Sequence, residues 1–250
     1  MAAFRVAGRA FRDLFDELFA LIAGNVIWAI LTLPLLVFAI GLATTGAIFP
    51  AALLALLAVI PAAPASVGLT LMGQQAYEGM AVRWHTIFRG FREYATWAWR
   101  VYGIWAGVLL VLLVSLAFYR DLAGLFGVVL TTLVLYAIAI WCIQLIYLGP
   151  LMILQEKRNL RQLYRNSFVL TFSRPLFTLI TAFLMLIIVT LSIIANLLPL
   201  IIVSGGLLAT WSFRAVAKLV LDDEARQNPD GEEDTPPPAE PGRRGQVRPR

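Results

Sequence analysis

One histidine, His85, and one cysteine, Cys142, are all that the chain offers to nucleophilic or metal chemistry of those types. A disulfide framework and a Cys/His zinc site are therefore excluded, and a histidine-dependent triad is disfavoured. No phosphate-cradling Gly-x-x-x-x-Gly-Lys-Ser/Thr loop, dinucleotide fingerprint, His-Glu-x-x-His or Gly-x-Ser-x-Gly elbow occurs. The reading is of a protein with no catalytic, metal or cofactor-binding residues. A lipid-modifying enzyme remains only a remote alternative, because the paired acid and base that such a reaction needs are missing.

What polar chemistry remains lies within apolar stretches. Pro61-Ala-Ala-Pro-Ala-Ser-Val-Gly68 interrupts a hydrophobic tract, with Gln74 and Gln75 following and Asn196 in a later tract. Interrupted helices in transporters expose backbone groups to a ligand near the bilayer midplane. Pro61, Pro64, Gln74, Gln75 and Asn196 are accordingly the candidate substrate or helix-break positions. The competing reading is packing: prolines kink ordinary membrane helices, and amides or hydroxyls such as Asn25, Thr178, Ser192 and Ser204 hold neighbouring helices together. No Asp or Glu falls inside an apolar tract, which disfavours a pump that uses intramembrane carboxylates.

The elements that position these residues follow from composition. The chain has 250 residues, 60% hydrophobic and 14% charged, and a mean hydropathy of +0.81. Leu18 to Tyr77 alone is 60 residues without Asp, Glu, Lys or Arg. At about 20 residues per crossing, the tracts divide into six spans, near 18–41, 46–73, 101–118, 125–153, 176–196 and 199–219. Alternation of apolar and polar residues, the mark of barrel strands, is absent from Leu109 to Val114, so the expected fold is an all-α, polytopic membrane bundle of three hairpins. A seven-span division, splitting residues 41–80 into two crossings, would place the N-terminal arginines on the outer side.

Lys and Arg set the orientation because they resist translocation. Three arginines precede the first span, four lie between the second and third, and five basic residues lie between the fourth and fifth; seven follow in the C-terminal region. On six spans all of these share one side, and Arg120 alone faces the other. Both termini are therefore expected in the cytoplasm. Residues 1–17, with Phe11 and Phe15 four apart and Phe19 continuing the same face into the first span, read as an amphipathic interfacial helix and not as a signal peptide, whose apolar core would be far shorter. Residues 221–250, with eight acidic and five basic residues and six prolines from Asp222 onwards, read as a disordered tail. The basic excess marks orientation and contact with lipid, not nucleic acid.

Two internal basic stretches, Val82 to Arg100 and Asn159 to Arg174, read as amphipathic cytoplasmic segments. In the first, Ile87, Phe88 and Phe91 form an apolar face; in the second, Leu160, Leu163, Tyr164 and Phe168 do. Phe88, Arg89, Phe91, Arg92, Arg161 and Arg165 are the candidate docking residues for cytoplasmic partners. Tryptophans and tyrosines at the span ends, among them Trp97, Trp99, Tyr102 and Trp211, read as interfacial anchors.

Several segments together resemble the YesL-like bacterial integral membrane family: Asn25-Val-Ile-Trp-Ala-Ile-Leu-Thr-Leu-Pro34, Pro61-Ala-Ala-Pro-Ala-Ser-Val-Gly-Leu, and Trp84-His-Thr-Ile-Phe-Arg-Gly-Phe-Arg-Glu-Tyr94. Phe118-Tyr119-Arg120, Gly149-Pro150-Leu151 and Arg165-Asn-Ser-Phe-Val-Leu-Thr-Phe-Ser-Arg-Pro175 are similar too, so the likeness covers about residues 20 to 215. The chain departs from the family pattern in the stretch Val37 to Val59, which intervenes between the Leu-Pro motif and the Pro-Ala turn. The family has no established activity. Its association with carbohydrate uptake implies a transport-associated accessory or permease-like role, with the bilayer and other transport components as partners. A non-transporting scaffold or assembly factor is the alternative, and a polar cavity reaching Gln74 or Asn196 is the feature that would separate the two.

Overall fold

A computed structural model describes residues 5–8, 17–122 and 124–227, the side chains of 222–227 excepted. The interfacial helix expected at 1–17 falls mostly outside these residues; within it, residues 5–8 are helical, with Val6 and Ala7 buried. No strand occurs among the described residues, and the architecture is all-α. The helices are α1 (Leu18–Thr44), α2 (Ile48–Tyr77), α3 (Ile87–Glu93), α4 (Ala95–Arg120), α5 (Gly124–Ile143), α6 (Leu145–Leu154), α7 (Leu160–Ser173), α8 (Pro175–Ile194) and α9 (Gly205–Gln227). A 3-10 turn, Trp84–Thr86, leads into α3, and a π-helical turn, Leu200–Ser204, leads into α9. The chain divides into two compact units, Met1–Val216 and Ala217–Arg250, and the described part of the second is the end of α9, which continues past the boundary expected at residue 221.

Among the described residues, six helical stretches are long and apolar enough to cross a membrane: α1, α2, α4, α5 with α6, α8, and Leu200–Leu221. Their outer surfaces are those of a protein whose solvent is hydrocarbon. Phe49 and Leu125 are each 81% exposed and Phe38 is 68% exposed, whereas an aqueous surface rarely shows large contiguous apolar patches.

The second span is a single helix. Pro61 and Pro64 lie inside α2, which runs without a break for 30 residues; the interruption expected there does not form. The hydrogen bond that Pro64 cannot make to the Ile60 carbonyl is replaced from α4, where the Trp99 indole N–H donates to that oxygen at 2.8 Å. Proline within a membrane helix survives when a neighbour satisfies the freed backbone group. At about 1.5 Å per residue α2 is roughly 45 Å long, against a hydrocarbon core of about 30 Å. Its C-terminal part, from Ala63 to Gly73, is almost wholly buried inside the protein.

That burial is supplied partly by the basic stretch after α2. The chain reverses at Gly79, whose φ of 68° suits glycine, and α3 packs back along α2. Gly68 and Gly90 permit the approach. A Cβ at Gly68 would meet the Ile87 carbonyl oxygen, and one at Gly90 would meet the Pro64 carbonyl oxygen. Ile87 is fully buried, while Phe88 is 40% exposed and sits edge-on to Trp84 at 6.3 Å. The apolar face expected of Ile87, Phe88 and Phe91 together is therefore split.

The remaining ties are made by polar side chains between helices. Asn25, with no exposed surface, donates through Nδ2 to the carbonyls of Leu200 (2.8 Å) and Ile201 (2.7 Å), and its Oδ1 accepts from the Gly206 N–H at 2.9 Å. A π turn leaves carbonyls without their usual α-helical partners, and Asn25 serves two of them. Ser204, in the same turn, lies 2.8 Å from Ser192 on α8. Between α4 and α5, Trp105 and Trp141 each donate the indole N–H to the other's backbone carbonyl, at 3.1 and 2.9 Å.

Candidate functional site

Two regions concentrate the features that could carry function. The first is a basic platform. α7 begins with Asn159 as N-cap, its side chain accepting from the Gln162 N–H at 3.3 Å. One face of α7 buries Leu163, Ser167, Leu170 and Thr171, and the other exposes Arg161, Arg165, Val169 and Phe172. Tyr164 donates its hydroxyl to the Val101 carbonyl at 2.7 Å and stacks on Trp141 at 5.8 Å, which anchors α7 to the α4–α5 hairpin. Burial pushes the Tyr164 phenol above its ordinary pKa and keeps it a donor.

Arg158 joins the two basic stretches. Its Nη2 donates to the Glu93 carbonyl at 3.0 Å and its guanidinium lies 5.2 Å from the Tyr94 ring. Arg89 makes a two-pronged contact to Glu93, at 2.9 and 3.0 Å. The Arg89 hydrogen bonds hold the Glu93 carboxyl below the usual carboxylate range, and the Glu93 carboxylate in turn raises Arg89. Arg92, Arg161 and Arg165 are exposed, and Arg161 and Arg165 line a surface hollow of about 450 Å³ with Asn159 and Gln162. Five of the six candidate docking residues, Phe88, Arg89, Arg92, Arg161 and Arg165, are exposed; Phe91 is half-buried.

The second region is a pair of apolar cavities within the bundle. The larger, about 590 Å³, lies among α1, α2, α4, α5, α6, α8, the π turn and α9, and opens sideways past the exposed side chains of Leu179, Phe183 and Leu186. The smaller, about 320 Å³, runs between α2 and α4 from Ala52 and Leu113 to Ser66 and Tyr102. Both include Ser66, Tyr102 and Leu145 in their walls. Ser66 accepts from the Trp28 indole at 3.0 Å, and Thr70 donates to the Ser66 carbonyl at 2.9 Å. Two of the segments that carry the family resemblance thus meet here, Trp28 from one and Ser66 from the other.

The substrate candidates fall elsewhere. Gln74 donates to Glu78 at 2.8 Å and Gln75 accepts from Thr86 at 3.1 Å, which pins the 3-10 turn to α2. Asn196, with φ of 54°, is exposed in the turn after α8. Pro61 and Pro64 stay helical, as described above. None of the five lines either cavity. Tyr102, the polar residue at the cavities' junction, was readable in the sequence only as an interfacial anchor. His85 and Cys142 are both exposed and far apart in role, and no group of three His, Cys, Asp or Glu side chains converges among the described residues.

The arrangement defines a helical bundle of multi-pass membrane type with an apolar interior and a basic end. Comparison with protein families, with curated proteins and with solved structures finds no match to this chain, so the YesL-like resemblance rests on its motifs alone.

Proposed function

We propose that this chain is a non-enzymatic, multi-pass protein of a bacterial cell membrane that serves a transport system as an accessory, with both termini in the cytoplasm and without carrying a polar solute itself. The observation that supports this reading is the Arg158 tie to Glu93 and Tyr94. It merges two basic segments, distant in sequence, into one exposed surface on which Arg92, Arg161 and Arg165 present positive charge to an acidic partner.

The permease-like alternative is disfavoured by where the polar groups are. A path for a sugar needs hydrogen-bonding groups along it, whereas the cavities are walled mainly by Leu, Ala, Ile and Phe, and Gln74, Gln75 and Asn196 are engaged or lie outside them. The link to carbohydrate uptake comes from the resemblance alone.

The test is recovery of partners in mild detergent from native membranes. The wild type is expected to bring down subunits of a transport system, and the Arg161→Glu, Arg165→Glu double variant to lose them, while vesicles holding the protein alone take up no radiolabelled sugar. Sugar uptake by the protein alone would restore the permease reading. Recovery of no transport component at all would favour a scaffold.

A further inference from the structure

The two cavities pose a physical question that the accessory role does not answer. Their walls are apolar, and an apolar cavity of this kind does not hold water. Yet at about 590 and 320 Å³ they are the size of ligand sites. Unfilled, they would forfeit the dispersion contacts of every side chain that lines them.

The location says what fills them. The larger cavity opens between Leu179, Phe183 and Leu186, side chains 57%, 62% and 61% exposed on a helix long and apolar enough to span a membrane. What lies against that opening in a bilayer is acyl chain. The smaller cavity extends along α2 from Ala52 to Ser66, which at 1.5 Å per residue is about 21 Å, a length suited to a single extended tail.

The junction supplies the polar contact. Ser66 lies about 27 Å along α2 from its start at Ile48, close to one edge of a hydrocarbon core of about 30 Å. Trp28 donates its indole N–H to Ser66 itself at this depth, as aromatic residues do at the membrane interface. Tyr102 is part of the wall that the two cavities share, its hydroxyl lies beside Gly149 of the larger one, and no hydrogen bond engages that hydroxyl among the described residues. Ester carbonyls of phospholipids occupy this depth and accept hydrogen bonds.

We propose that the two adjoining cavities together hold one bilayer phospholipid, with an acyl chain along α2 and α4, and with the Tyr102 hydroxyl donating to an ester carbonyl. The lipid enters sideways past Phe183 and completes the packing of α8 against α2 and α6. This assignment is independent of the cytoplasmic platform and stands whether or not a transport partner binds there.

Native mass spectrometry of the full chain, released from detergent micelles containing palmitoyl-oleoyl phosphatidylglycerol, tests it. The wild type is expected to retain one phospholipid through activation that strips the remainder. Ala182→Trp, which fills the larger cavity, should abolish retention. Tyr102→Phe should reduce it about fivefold, the worth of one neutral hydrogen bond, and serves as the deciding variant if Ala182→Trp does not fold. Leu133→Trp, on the exposed side of α5 away from the cavities, should behave as wild type. A wild-type chain that emerges bare, with detergent alone, or only as a dimer overturns the proposal, as does equal retention in Tyr102→Phe and wild type.

Discussion

The Trp99 indole N–H donates to the Ile60 carbonyl at 2.8 Å, in the position that the backbone of Pro64 leaves without a donor. One helix thereby repairs another, and the Ile60 carbonyl becomes part of an interhelical contact. Pro64→Ala supplies the missing N–H from within α2. Trp99→Phe should therefore lower stability by about 1 kcal/mol in the wild-type background and by less in the Pro64→Ala background. Thermal melting of the four proteins in detergent gives the coupling; equal losses in both backgrounds would show that the indole acts through packing alone.

Asn25 should matter more than any other polar residue of the spans. Asn25→Leu removes three hydrogen bonds at once and leaves two carbonyls of the π turn and the Gly206 N–H without their partner. Interhelical hydrogen bonds in membrane proteins average about 0.6 kcal/mol each, so a loss of about 2 kcal/mol is expected in a denaturation series. Asn25→Asp keeps the acceptor for Gly206 but sets a buried carboxylate oxygen against the Leu200 and Ile201 carbonyls, and should cost at least as much as Asn25→Leu.

Glycine positions divide sharply. Gly90→Ala forces a methyl group onto the Pro64 carbonyl and should detach α3 at a cost of about 1–3 kcal/mol, seen as faster tryptic cleavage at Arg83, Arg89 and Arg92. At Gly103 and Gly107 nothing lies within 4 Å of the added atom, so alanine there should leave cleavage unchanged and raise the melting temperature slightly through helix propensity.

Acid should loosen the platform in one direction only. Because Arg89 holds the Glu93 carboxyl below its unfolded value, the contribution is complete above the unfolded carboxylate pKa of about 4.3 and disappears as pH falls through the lower folded value. The pair is exposed, so the effect is at most a few tenths of a kcal/mol. Glu93→Gln should abolish that part of the acid sensitivity in proteolysis of the Val82–Arg100 stretch; an unchanged pH profile would assign it to other carboxylates.

The spans were legible in the sequence because uncharged length is a strong signal: Leu18 to Tyr77 and Pro175 to Phe213 each had to contain two helices, and they do. The turn at Asn196 was legible from Asn and Pro. The continuity of α2 was not, since Pro61 and Pro64 announce a break and the remedy, Trp99, lies 35 residues beyond Pro64. Gln74 and Gln75 could not be told from ligand groups because their partners, Glu78 and Thr86, are ordinary neighbours. The cavities left no trace at all. When the surrounding solvent is itself apolar, Ala182 or Leu145 facing a pocket reads the same as Leu133 facing hydrocarbon, and only the fold distinguishes them.

The tie from Asn25 to Gly206 spans 181 residues, whereas the Trp105–Trp141 exchange spans 36. At the usual pace of translation, about 5–20 residues per second, the first helix waits roughly 10–35 s after leaving the ribosome before its amide meets the backbone it will hold. The middle hairpin closes early, and the contact between the first and last spans closes last. A growing chain thus carries an open polar group in its first membrane segment for most of its synthesis, which makes that interval the period in which the protein depends most on the insertion machinery.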